Sequence, residues 1–266
     1  MAGLIDPIKR FFRKGTFAYK STFAVMSLQQ YLMVNLGAPL MQMLCFTLVA
    51  NYVYGSQNIT TWFIGNAVVL TYFNAIFGVG THLSAEKSFG TLKLLIASPS
   101  NGFSILLPRT LLHIFDGIIT IFIGLIIGAL FFGFHLPIEA WVSFGAVLLA
   151  ASFSAMSFGL IIASIGLASR DLNLILNVVS MSLLGLTGAN FPISRLPEII
   201  QPISQMMPLT RSITLCRAIY EGTPLSENTH LLLGEIGLGV IFMIIGTSLF
   251  KVLTKKSIQS GVLEFF

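Results

Sequence analysis

Arg109, His113 and Asp116 are spaced by four and three residues, a pattern that gathers all three on one face of a helix. Asp116 lies about 10 Å beyond Arg109 at a rise of 1.5 Å per residue. A carboxylate inside an otherwise apolar run supports two chemistries. It can exchange protons or ions in transit, or it can settle as a buried chain of polar contacts, with Arg109 and His113 as ready partners. Other reactive constellations are missing. The four histidines, His82, His113, His135 and His230, are scattered, so no metal-ligand cluster is expected. HExxH, CxxC and GxSxG do not occur, and neither does the GxxxxGK[ST] phosphate loop. The chain is therefore not expected to hold ATP in the usual way, or to be an enzyme.

Two weaker polar patterns accompany this cluster. Asn173, Asn177, Ser180 and Thr187 form a stripe, with Gly185 and Gly188 nearby, and Asn35 and Gln42, seven apart, form a shorter one. Such stripes either glue helices together or face a cavity. Phe73 and Phe77, four apart, are candidates for an apolar path.

The elements that must carry these residues follow from composition. Only 9% of the 266 residues are charged, and the mean hydropathy is +0.88, whereas a soluble domain carries about 25% charged residues. An all-α integral membrane protein is expected. A crossing helix needs about 20 apolar residues, and six stretches qualify: 31–53, 60–84, 109–133, 139–167, 172–190 and 230–250. Six spans place both termini on one side. With that side cytoplasmic, 12 of the 15 Lys and Arg lie inside and only Arg195, Arg211 and Arg217 lie outside, which satisfies the positive-inside rule. This distribution also argues against nucleic acid as the partner of the formal charge of +5. Glu235, near the outer end of the last span, is expected to be solvated. Cys45 and Cys216 read as small buried hydrophobes.

At the N-terminus, Leu4, Ile8, Phe11 and Phe12 interleave with Lys9, Arg10, Arg13 and Lys14. The pattern predicts an amphipathic helix within 1–30 lying along the inner membrane face, rather than a cleavable signal peptide. The single membrane domain is expected over 31–266.

The charge-free run of residues 21–85 ends in EKSFGTLKLLIASPSNG, residues 86–102. Phe89, Leu92, Leu95 and Ile96 fall at helical spacing, and Pro99 between Ser98 and Ser100 stops the helix. Gly90 costs about 1 kcal/mol against Ala within a helix, which points to a bend there. The prediction is a short cytoplasmic helix with one uncovered apolar side.

Residues 191–222 carry Pro192, Pro197, Pro202 and Pro208 among Ile, Leu and Met. Prolines cut this run into pieces too short to span, and protein-covered pieces of this kind can re-enter one leaflet. Two helices, roughly 195–206 and 209–220, would make an outer hairpin. Arg195 and Glu198, three apart, are candidates for a pair on one face, or else mark the outer interface.

Glu86, Gly90-Thr91-Leu92, Leu95 and Ser98-Pro99 resemble the E…GTL..L..SP pattern of ABC-2 type transporter permeases, with the drug and antibiotic exporters the most similar. The stretch LTGANFPISRLPEIIQPISQMMPLTRSITLCRAI, residues 186–219, is similar to that family's FP…LP……PLT pattern. The resemblance implies that 86–102 is a coupling helix seated in a separate ATPase subunit. Glu86 would be its polar anchor, Phe89, Leu92 and Leu95 its buried knobs, and Gly90, Thr91, Ser98 and Pro99 the rest of the motif. It implies a second permease, identical or related, and ATP and Mg bound by the partner ATPase rather than by this chain. It implies that the first, second and fifth helices flank the dimer seam and the path, so that Asn35, Gln42, Phe73, Phe77, Asn173, Asn177 and Ser180 line it. It makes the hairpin, with Pro192, Arg195, Glu198 and Pro208, an outer gate. The expected cargo is a hydrophobic or amphipathic compound crossing a bacterial plasma membrane. Export of a lipid-linked glycan is the alternative, because SRDLNLIL, residues 169–176, is similar to glycan-exporting permeases. An ion-driven transporter is a third reading, with Asp116 as its coupling group.

Overall fold

The computed structural model describes residues 27–55, 59–78, 80, 90, 103–169 and 171–259; for residues 28, 31, 103–115, 167, 168 and 257–259 it describes the backbone alone. The described residues are helical, in the order α1 (Leu28–Leu32), a π turn (Met33–Gly37), α2 (Ala38–Tyr54), α3 (Ile59–Tyr72), a second π turn (Phe73–Phe77), α4 (Phe103–Phe132), α5 (Ala140–Ala168), α6 (Leu172–Leu186), α7 (Gln201–Met206), α8 (Thr210–Tyr220) and α9 (Thr229–Gln259). Four segments are long and apolar enough to cross a membrane: Met33–Tyr54, Ile59–Phe77, Ala140–Gly166 and Leu225–Lys256. Asp116–Phe132 and Leu172–Leu186 are shorter apolar helices.

Local chemistry sets the boundaries. Ser27 and Gln30 form a reciprocal capping box at the start of α1, satisfying amides that the first helical turn leaves open. Asp171 accepts from the Leu174 amide at 3.1 Å and starts α6. The chain leaves α8 through Gly222, whose φ of 91° suits a residue without a Cβ.

The centre of the bundle is α3 and α5. Eleven residues of α3, from Trp62 to Tyr72, are buried in unbroken sequence, so this helix has no lipid-facing side there. Packing is made close by missing side chains. A Cβ on Gly128 of α4 would fall 2.0 Å from the ring of Phe63. That ring anchors an aromatic cluster with Phe132 and Phe134, and Phe134 in turn meets Phe144 and Tyr220. Along the α5–α9 contact, Gly239 lies against Phe153, and Gly246 against Leu160 and the Ile161 amide. There the Ser164 hydroxyl reaches the Gly246 carbonyl at 3.2 Å. Small residues and side-chain hydrogen bonds are how helices associate where lipid removes any hydrophobic drive.

Large apolar side chains face outward, Met41, Leu48 and Tyr52 on α2 and Leu233, Ile241 and Ile244 on α9 among them. Such a surface belongs in hydrocarbon, and the chain is a multi-pass membrane protein.

Several expectations are adjusted. The third helix reaches back to Phe103 and the last runs on to Gln259, while the fifth ends at Leu186. The first helix of the expected hairpin is only Gln201–Met206, preceded by a 3₁₀ turn at Ile193–Arg195. Pro197 and Pro202 account for this, since each removes an amide that a longer helix would need. Cys216 is buried as expected, but Cys45 is exposed on the outward face of α2. Of the amphipathic helix expected within 1–30, residues 1–26 lie outside the described residues, and residues 28–30 open α1.

Candidate functional site

Two polar sites stand out against the apolar bundle. The first is built on Thr120 of α4. Its hydroxyl accepts from the Asn74 side chain at 2.9 Å, donates to its own helix at the Asp116 carbonyl at 2.8 Å, and lies 3.5 Å from the Asn35 carbonyl. Asn35 is in the first π turn and Asn74 in the second, so one hydroxyl touches both. Pro39 helps to explain the first π turn. It cannot donate the amide that a regular helix would direct to Asn35, four residues back. Asp116, Asn74 and Thr120 are all buried. α4 packs closely beside Asn74 here, since a Cβ at Gly117 would make ordinary contact with the Asn74 side chain at 3.8 Å. π turns inside helices recur at functional positions, and here two of them meet across three helices.

Sequence reasoning selected Asn35 and Asp116 as members of separate groups; the structure brings them to one joint. It missed Asn74 and Thr120, whose only sequence signal is a polar side chain in an apolar run. Arg109 and His113 lie on the α4 backbone, and their side chains are outside the described residues. Gln42 is separated from Asn35. With Ser180 of α6 it reaches the buried Tyr72 hydroxyl, which forms no well-aligned hydrogen bond. Phe73 and Phe77 stack at 5.0 Å with rings 11° apart. The α6 stripe divides. Ser180 and Thr187 are buried, while Asn173 and Asn177 face outward beside Leu174, Val178 and Met181. Asn177 donates to the Asn173 carbonyl at 2.9 Å within its own helix.

The second site fastens the segment between α6 and α9. Arg217 of α8 donates to three backbone carbonyls, those of Thr61, Gly188 and Ala189, each at 3.0 Å. Its guanidinium also lies 5.5 Å from the Trp62 ring centre. One side chain thereby ties α8 to the first turn of α3 and to the chain leaving α6. Gly65 makes room, since a Cβ there would come within 2.5 Å of the guanidinium and 2.8 Å of the Ala189 carbonyl. Burial pulls the Arg217 pKa down to about 10, which leaves it charged at neutral pH.

On the opposite side, Glu235 corrects an expectation. It is fully buried rather than solvated. Its carboxylate accepts from the Leu209 amide at 2.8 Å. Leu209 opens α8 with a left-handed φ of 75° and has no cap from its own neighbours, so α9 provides the cap that the local sequence lacks. A carboxylate suits the amide-rich start of a helix. The Arg211 side chain lies across Gly234 beside it, and Thr210 donates to the Ser204 carbonyl at 2.7 Å, closing α7 onto α8. Sequence reasoning treated Arg217 and Glu235 only as boundary charges.

The expected gate residues lie on this segment. Pro192 precedes the 3₁₀ turn, Arg195 places its guanidinium 5.0 Å from the Tyr54 ring centre, Glu198 is exposed, and Pro208 precedes the strained Leu209. Of the coupling segment only Gly90 is described, in a turn with φ of 68°. That agrees with a bend there. Glu86, Phe89, Thr91, Leu92, Leu95, Ser98 and Pro99 lie outside the described residues.

No individual curated protein matches the chain closely enough to add to this geometry. The family description that does match is the ABC-2 type transporter, over residues 18–220. That range takes in α1 to α8, the Thr120 joint and the Arg217 clasp, and the chain belongs to the ABC-2 type transporter family.

Proposed function

We propose that this chain is the permease subunit of an ATP-driven exporter for a hydrophobic or amphipathic compound, and that it works with a separate ATPase and a second permease copy. Six spans, with both termini in the cytoplasm of a bacterial plasma membrane, complete the proposal. The observation that carries it is the Thr120 joint. The joint gathers the first three membrane helices through two π turns. It is also close in sequence to the charged segment, with Asn74 twelve residues before Glu86 and Thr120 eighteen after Gly102. A push on that segment would reach α3 and α4 together. Asp116, one turn from Thr120, belongs to the same joint, and in this reading it stabilises the joint and couples no ions. The outward face of α6, with Asn173 and Asn177, is the proposed seam with the second permease. Polar side chains turned toward hydrocarbon are costly, and a partner helix relieves that cost.

The test addresses docking. Leu92→Asp with Leu95→Asp puts two charges where an apolar surface meets the ATPase. Burying an unpaired charge costs several kcal/mol, and each 1.4 kcal/mol is tenfold in affinity. Co-purification with the ATPase should fall by orders of magnitude while the protein still inserts. A normally expressed double variant that keeps its ATPase and its transport rate would refute the docking assignment.

A further inference from the structure

Two guanidiniums and two aromatic rings stack where α2 meets α3. The Tyr54 and Trp62 rings have centres 4.8 Å apart and planes 27° apart. Arg195 lies over the Tyr54 ring at 5.0 Å, and Arg217 over the Trp62 ring at 5.5 Å. Both cations come from the segment between α6 and α9, yet they are held differently. Arg217 also grips three carbonyls. Arg195 is exposed, and among the described residues its guanidinium makes no hydrogen bond and no ion pair, with Glu198 or any other. The Tyr54 ring is what holds it.

The loop that carries Arg195 is fastened at its base. Arg217 holds the Gly188 and Ala189 carbonyls where the loop begins. Ser204, fully buried, donates to the Leu186 carbonyl where it ends. A chain segment of this length with its ends tied together is an Ω-loop. Between the anchors it is braced internally. The Arg195 amide bonds to the Pro192 carbonyl and the Leu196 amide to the Ile193 carbonyl, and the Gln201 side chain donates to the Leu196 carbonyl at 2.9 Å. Gly188 turns the chain with a φ of 79°, and a Cβ there would fall 2.9 Å from Ile193. A braced loop with a firm base and one exposed contact at its tip moves as a body about that base. Two features set the balance of that motion. An exposed cation–π contact is weak. Trp62 is 6% exposed and its indole N–H has no partner, and a buried unpaired donor opposes the closed state.

We propose that residues 190–203 form a flap over the α2–α3 end of the bundle, latched by Arg195 on Tyr54 and hinged on the anchors made by Arg217 and Ser204. Release lifts Arg195 from Tyr54 and admits water to the Trp62 N–H, while the base stays bonded. The flap rests on contacts within this chain, whatever compound is carried and whatever drives its transport.

Trp62 reads the flap directly. The chain has two tryptophans, so Trp141→Phe leaves Trp62 as the sole emitter. This full-length parent is placed in phosphatidylcholine nanodiscs and titrated with acrylamide, a collisional quencher carried in water. Quenching of a covered indole scales with the fraction of open molecules, and in the parent it should be weak. Arg195→Met keeps bulk over Tyr54 and removes the charge. Loss of an exposed cation–π contact corresponds to about two- to fivefold in the ratio of open to latched molecules. The quenching constant should rise by that factor, with a red shift as water reaches the indole. Arg195→Lys keeps a cation and should stay near the parent. Tyr54→Leu should also raise quenching, and adding Arg195→Met to it should change nothing further. The latch is overturned by strong quenching in the parent, by an Arg195→Met protein as protected as the parent, by an Arg195→Lys protein as open as Arg195→Met, or by a further rise in the double variant. The hinge is read separately, as the thermal midpoint in detergent. Arg195→Met should keep the parent's midpoint because the base anchors are intact. A loss equal to that of Arg217→Met would mean that the loop unfolds instead of swinging, and it would overturn the flap.

Discussion

Removing the Arg217 guanidinium should loosen the hairpin measurably. Arg217→Met keeps the length and apolar stem of the side chain and deletes all three hydrogen bonds to Thr61, Gly188 and Ala189. Hydrogen bonds to a charged group are worth about 1.5–3 kcal/mol each in soluble proteins. Within membranes the average is nearer 0.6. Three bonds at the membrane value give about 2 kcal/mol. At the soluble value the sum exceeds what single substitutions usually cost, so about 5 kcal/mol is a ceiling. For a chain of this size each kcal/mol moves the midpoint by about 2–4 °C. The expected loss is therefore about 4 °C at least and about 20 °C at most, read as thermal unfolding of the purified protein in detergent. Gly65→Ala attacks the same contact from α3, because its methyl group would displace the guanidinium and press on the Ala189 carbonyl. The double variant should lose less than the sum of the singles, since both break one contact. A midpoint within 1 °C of wild type for Arg217→Met, or strict additivity with Gly65→Ala, would show that the clasp does not hold the hairpin.

Other outcomes follow from the same geometry. Glu235→Leu leaves the Leu209 amide buried and unpaired and should cost about 1–3 kcal/mol, whereas Glu235→Gln keeps an acceptor and should recover most of it; equal losses in the two would sink the capping role. Thr120→Val keeps the side-chain shape but removes the shared hydroxyl, so transport per ATP hydrolysed should fall several-fold, with Thr120→Ser restoring it; unchanged coupling in Thr120→Val would remove the joint from the mechanism. Cysteines introduced at Ser56 and Thr223 should label from outside and one at Ser100 only from inside, and outside labelling at 100 would invert the topology. The native Cys216 should stay silent in that assay, because it is fully buried and burial raises its thiol pKa.

Some of this was legible in the chain and some was not, for physical reasons. Apolar run length found the helices. The second hairpin helix, expected at roughly 209–220 after Pro208, is α8 at Thr210–Tyr220, almost to the residue. The spacing of Asn35 and Gln42 assumes an uninterrupted helix, whereas Asn35 sits inside the π turn Met33–Gly37, where seven residues no longer make two α turns; its carbonyl meets Thr120, and the Gln42 side chain meets Tyr72. The fifth-helix stripe divides because a polar residue does not announce its side of the boundary between core and surround, and Ser180 fell inside while Asn177 fell outside. Arg217 reaches a carbonyl 156 residues away and Glu235 an amide 26 residues away. Contacts at that separation have no local spacing to read. A lone carboxylate within the apolar run of 230–250 was the one available hint.

The cap that Glu235 lends to Leu209 has a consequence for biosynthesis. When α8 leaves the ribosome, its first amides have no partner in the 26 residues that follow until the Glu235 codon is read. The left-handed turn at Leu209 is strained and uncapped through that interval. The segment before α9 should therefore stay unsettled until α9 arrives, and the two should enter the bilayer as one unit. Nascent chains stalled between Tyr220 and Glu235 should expose Pro208–Tyr220 to protease, and chains stalled well beyond α9 should protect it.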